Sequence, residues 1–178
     1  MLAAMDDTER QDRQHWESAE EGAELVSEGE YAQAVSLLSE VVSREPDNPY
    51  ALFFLGAALF ETGDLSRALK AYLEALRVRP DYLGALIGAG WALHSLGRYR
   101  EALKVGRQLL LKAKEDPDGL YLLGLCHYAM GDAAAALGYL TRFLNTRPEL
   151  EVALEVEGLI KVLRGEVQAI PSEDAEDD

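Results

Sequence analysis

Apolar residues recur along this chain at helical spacing and are interrupted by glycine at regular stops. Between Tyr50 and Glu61, residues Leu52, Leu55, Gly56 and Leu59 fall at i, i+3, i+4 and i+7, one face of an α-helix. Thr62-Gly63-Asp64 ends that stretch, because glycine readily adopts the left-handed conformation on which helices close. A second stripe of Ala68, Tyr72 and Ala75 runs through 65–78. Pro80 then stops it, since proline cannot continue a helix. The pattern predicts two antiparallel helices joined by a short turn.

The same pair returns every 34 residues. Gly29, Gly63, Gly97, Gly131 and Gly165 keep the beat, as do Gly22, Gly56, Gly90, Gly124 and Gly158 and the alanines Ala34, Ala68, Ala102 and Ala136. A fixed period of this length means one helix pair copied along the chain, each copy covering the apolar face of its neighbour. Small residues at Gly56 and Ala68 are expected where the two helices of a pair cross.

The residues that carry the beat resemble the tetratricopeptide repeat: Leu52, Leu55-Gly56, Leu59, Ala68, Tyr72, Ala75 and Pro80 in the clearest copy. Leu86, Ala89-Gly90, Leu93, Tyr99, Ala102 and Leu109 match in the next copy, and Leu120, Leu123-Gly124, Ala136, Leu140 and Pro148 in the one after. The first copy is weaker, with Gly22, Leu25, Gly29, Tyr31, Ala34, Leu38, Val41 and Pro46. The resemblance implies an all-α fold, a right-handed superhelix of helix-turn-helix repeats. We read repeats at 15–48, 49–82, 83–116 and 117–150 and a capping helix at 151–164, together a domain over 15–165. A flexible acidic segment is expected at 1–14 and a disordered acidic tail at 166–178, where apolar area is too small to offset ordering.

Charge sharpens this picture. The net charge of −15 divides into −10 over residues 1–48, +2 over 49–150 and −7 over 151–178. Acidic ends repel nucleic acid, and no reading motif for it occurs, so none is expected as a partner. No apolar run is long enough for a membrane helix, and direct membrane insertion is not expected. One cysteine, Cys126, fits a reducing compartment, and the expected location is cytoplasmic.

The resemblance also implies that the first helix of each pair lines the concave side of the superhelix. Removing the packing residues leaves an aromatic, apolar face as the candidate partner site: Tyr50, Phe53 and Phe60, then Gly84, Ile87, Gly88, Trp91 and His94, then Tyr121, Leu125 and Tyr128. Gly84 and Gly88, one turn apart beside Trp91, are expected to leave a gap that a ligand side chain enters. An apolar trough with aromatic residues fits a peptide or helix of another protein. Some relatives grip chaperone tails with a carboxylate clamp of basic and amide side chains. Here those places hold Ala19, Ala23, Phe53, Ala57, Ile87 and Trp91, so binding of Hsp70 or Hsp90 tails is not expected. A secondary basic surface is formed by Arg98, Arg100, Lys104 and Arg107, with Arg67, Lys70, Arg77 and Arg79 before it.

Catalytic residues, cofactors and metals are not expected. His15, His94 and His127 have no ligand partner at metal-site spacing, and Cys126 stands where other copies place alanine. The favoured function is a non-enzymatic interaction scaffold or adaptor. Two alternatives remain: a chaperone similar to those of type III secretion translocators, holding a hydrophobic segment, and a module that forms homodimers through its first repeat.

Overall fold

The computed structural model describes residues 6–166, which form nine helices. They are α1 (Asp7–Ser27), α2 (Tyr31–Arg44), α3 (Pro49–Glu61), α4 (Leu65–Val78), α5 (Leu83–Ser95), α6 (Tyr99–Lys112), α7 (Pro117–Ala129), α8 (Ala133–Asn145) and α9 (Leu150–Leu163). No strand occurs among the described residues. The chain divides into two compact units, Met1–Val105 and Gly106–Asp178.

Several boundaries have a local cause. Asn48, Asp64, Asp116 and Asp132 cap α3, α4, α7 and α8 by accepting hydrogen bonds from first-turn amides, and Pro49 and Pro117 open α3 and α7 with a preset φ. At the other end, Gly63 takes φ +80°. Its N–H donates to Phe60 O at 3.0 Å, and the Asp64 N–H reaches back to Leu59 O at 2.9 Å. This closes the helix in the Schellman manner, and the glycine beat of 34 residues is the beat of that turn.

In the first unit the core is built from Leu38, Leu52, Leu59, Leu69, Tyr72 and Leu86, with alanines at the crossings. Burying each large side chain contributes about 1.5–3 kcal/mol. The glycines on the first helices leave room for what lies opposite. Gly22 faces Leu38, and a Cβ at Gly56 would lie 2.8 Å from the Tyr72 ring. In the second unit Leu120, Leu140, Phe143, Val156 and Ile160 form the buried cluster. There Gly124 admits Leu140, whose Cδ2 would be 2.5 Å from an added Cβ.

The N-terminal region departs from expectation. Residues 7–14, read as part of a flexible segment, are the first turns of α1. Asp6 and Glu9 form a capping box there: the Glu9 N–H donates to Asp6 Oδ1 at 2.7 Å and the Asp6 N–H to Glu9 Oε2 at 3.2 Å. Residues 1–5 and all of the expected acidic tail except Glu166 lie outside the described residues. Among the described residues no helix is long and apolar enough to cross a membrane.

Candidate interaction surface

Helices α3 and α5 of the first unit are apolar around almost their whole circumference. Their only charged side chain is Glu61, at the end of α3. A helix of this kind is ordinarily enclosed. Yet Phe53, Ala57 and Phe60 on α3 are only half-buried, and so are Ile87, Trp91 and His94, the residues 34 positions further on. Burial depresses the His94 imidazole below its ordinary value. Its ring lies 6.0 Å from Trp91 and 5.4 Å from Tyr99.

The gap expected beside Gly84 and Gly88 does not exist. A Cβ at Gly84 would stand 3.1 Å from Phe53 Cε2, and one at Gly88 would stand 2.5 Å from Tyr72 Cε1 and Cζ. The missing side chains of α5 make space for rings from α3 and α4. Phe53 is held the same way, 5.0 Å from both Phe54 and Tyr82 and 6.1 Å from Tyr72. Phe53, Gly84 and Gly88 thus all pack within one aromatic cluster.

Tyr50 belongs to a polar node whose members lie far apart in the sequence. Its hydroxyl donates to Asp12 Oδ2 of α1 at 3.0 Å. Arg79, just past α4, donates to the other oxygen of Asp12. The Arg79 guanidinium lies over the Tyr50 ring at 4.7 Å and over the Tyr82 ring at 5.6 Å, within cation–π range. Burial first, then the neighbouring Tyr50, pushes the Tyr82 phenol up to about 12, although Arg79 pulls the other way. Trp16 meets Tyr50 edge-on at 5.4 Å and Phe54 at 6.2 Å. Asp12, Phe54 and Tyr82 were absent from the sequence-derived face. The available signal was the i, i+4 spacing of Asp12, just ahead of the first repeat, and Trp16 at its start.

Among the basic residues of α6 and the turn before it, Arg98 is paired locally. Arg98 donates through Nε and Nη2 to the two oxygens of Glu101, each at 2.8 Å, and this holds the Glu101 carboxyl below its ordinary value. Arg100 and Lys104 are exposed in the first unit, and Arg107 is exposed in the second.

In the second unit Tyr121 stacks on Phe143 with centroids 4.7 Å apart, and Leu125 packs beside the same cluster. Tyr128 is 38% exposed. His127 Nδ1 is 3.1 Å from Asp132 Oδ2, and its ring stacks on Tyr139 at 5.5 Å. Cys126 is fully enclosed, and burial pushes its thiol up to about 11. Among the described residues no three His, Cys, Asp or Glu side chains are grouped to hold a metal ion.

Paired helices at a fixed beat, with glycine turns and an apolar face left over, define a helix-hairpin repeat module. Comparison with known proteins gives the family. The profile described as tetratricopeptide repeat matches residues 20–82, 58–119 and 87–149, and the chain belongs to the tetratricopeptide repeat family. No curated protein matches the sequence. Among solved structures, MamA from Desulfovibrio magneticus RS-1, residue 41 to the end, aligns over 93% of this chain and 100% of its own. Its identity is 21% and the TM-score 0.66. A crystal structure of MamA protein covers 86% of this chain and 82% of its own at 18% identity, TM-score 0.70. A tetratricopeptide repeat protein from Parabacteroides merdae covers 86% of this chain and 61% of its own at 23% identity, TM-score 0.69. Identities of this order establish the fold alone. The repeat is typically a non-enzymatic protein-interaction module, and its presence supports a protein-interaction scaffold here.

Proposed function

We propose that the chain is an adaptor that takes a peptide or helix of another protein on the half-buried apolar face of α3 and α5. One observation carries this reading: two helices almost without charge leave Ala57, Phe60, Ile87 and Trp91 incompletely enclosed. Apolar surface of this kind gains about 25 cal/mol per Å² when a partner covers it. Phe53, Gly84 and Gly88 serve the face from behind by holding its shape. Tyr121, Leu125 and Tyr128 supply apolar surface on α7 in the second unit.

The test uses Phe60→Ser and Ile87→Ser together, because neither residue is fully buried. Affinity capture with crosslinking mass spectrometry compares this variant with the wild-type chain at matched helicity. Loss of the captured proteins, with wild-type crosslinks mapping to α3 and α5, supports the reading. Capture unchanged by the double substitution would overturn it.

A further inference from the structure

The first half of α1 lies on the Tyr50–Arg79 node without being locked to it. At 21 residues α1 is the longest helix described, while the others have 13 or 14. Its buried residues, Ala19 and Gly22, both fall in its second half. Over residues 7–16 the hydrogen bonds and ring contacts to other elements are the Asp12 bonds to Tyr50 and Arg79, the edge contacts of Trp16, and the His15 carbonyl accepting from Asn48. The Asp12 side chain is 45% exposed and that of Arg79 31%. Ion pairs this wet contribute about 0–1 kcal/mol. Open grooves flank the segment, one of about 250 Å³ by Gln11, His15 and Val78 and one of about 490 Å³ by Glu9, Arg13 and Tyr50.

Beneath it lies a surface organised by its own packing. Tyr82 supports Tyr50 at 6.1 Å, and Phe53 supports Phe54. Arg79 rests on two rings. That surface offers a guanidinium and a phenol to a carboxylate, and aromatic edges to an indole.

We propose that Tyr50, Phe54, Arg79 and Tyr82 form a docking site for a partner helix carrying a carboxylate four residues ahead of a large aromatic side chain. Asp12 and Trp16 occupy that site in cis. A preformed site loses little freedom when its occupant changes, so exchange is governed by the occupant's own contacts. The acidic character of α1 repels a second acidic helix while α1 is seated, so the partner enters by exchange. This inference rests on the scaffold reading but uses neither Phe60 nor Ile87, so either test can fail alone.

The probe is a fluorescent synthetic peptide of residues 6–22, followed by anisotropy with full-length protein. The chain carrying Asp12→Ala and Trp16→Ala is expected to bind it at least tenfold more tightly than the wild type. Adding Arg79→Ala to the chain, or the same two alanines to the peptide, should return binding to the wild-type level. Equal binding by wild type and variant, or by the altered peptide, would overturn the proposal. Hydrogen exchange on the wild-type chain provides a check independent of the variant's folding. Amides of residues 11–16 should exchange at least tenfold faster than those of 34–41, and equal protection would count against displacement.

Discussion

Tyr72 and Gly88 fit together as ring and slot: a Cβ built on Gly88 would lie 2.5 Å from Cε1 and Cζ of the Tyr72 ring. The same ring also faces Gly56, where an added Cβ would approach its Cδ1 and Cε1 to 2.8 Å. Real Cβ atoms do not come this close, so one methyl group must move a ring that is 4% exposed. Gly88→Ala is therefore expected to destabilise the first unit by about 1–3 kcal/mol, although alanine favours helix over glycine. Thermal melts followed by circular dichroism measure it. Tyr72→Leu should remove most of the additional cost of Gly88→Ala, and a double-mutant cycle showing no such coupling would refute the ring-and-slot account.

The opposite outcome is expected at two other helical glycines. Around Gly138 of α8 and Gly158 of α9 nothing lies within 4 Å of an added Cβ, and neither has positive φ. Gly138→Ala and Gly158→Ala should each stabilise by about 0.5–1 kcal/mol, through backbone freedom removed from the unfolded chain. Denaturant midpoints should rise with unchanged slope. A fall at either position would mean that a neighbour occupies the space.

Glycines divide sharply in what the sequence could reveal. Gly63 and its equivalents were legible because their role is local: a left-handed turn closes a helix whatever lies beyond it. Gly88 was not, because a missing side chain in the sequence does not say whether partner or protein fills the space. Tyr72, legible as filling space between its own pair and the next, takes the slot of Gly88. The node around Asp12 was harder still, since its partners Tyr50 and Arg79 stand 38 and 67 residues away. Asp12 also precedes the repeat, so periodicity carried no information about it. The repeat identified the helices and turns; the side chains that meet between copies were decided by packing.

Cys126 provides a prediction with a defined sign. Burial raises its thiol from 9.0 to about 11, because the enclosed site disfavours thiolate. The unfolded chain ionises near the ordinary value, while the folded chain resists ionisation until about 11. Stability from this group is present below the ordinary value and is lost as pH rises through about 11. The loss should be on the order of 1–3 kcal/mol. Buried phenols such as Tyr82, also raised by burial, make stability fall on the alkaline side too, so the measured quantity is the change between pH 8 and 11 in wild type minus that in Cys126→Ala. Parallel curves would refute it. Iodoacetamide at pH 8 should label the native thiol far more slowly than the unfolded one.

Asn48 is the buried polar residue through which α1 is tied to the turn between α2 and α3. Its Oδ1 accepts from the amides of Tyr50 at 3.1 Å and Ala51 at 3.0 Å. Its Nδ2 donates to His15 O at 2.8 Å and Glu45 Oε2 at 2.9 Å. Ser18 Oγ donates to the other Glu45 oxygen at 2.9 Å. An amide suits this place because both acceptors and donors are required. Asn48→Ser keeps a cap but abandons the donors, with an expected cost of about 1–3 kcal/mol that varies little with pH. Asn48→Asp also keeps the cap, yet sets an enclosed carboxylate against Glu45. Burial and like charge raise the pKa of the introduced carboxyl in the folded state. Its penalty is therefore small below the unfolded carboxylate range and grows as pH rises through the folded value. Melting curves between pH 4 and 7 should show the Asn48→Asp gap to wild type widening with pH while the Asn48→Ser gap stays level. A pH-independent Asn48→Asp gap would mean that Glu45 turns away and the carboxylate finds water, so that the donors of Asn48 contribute no charge selectivity at this junction.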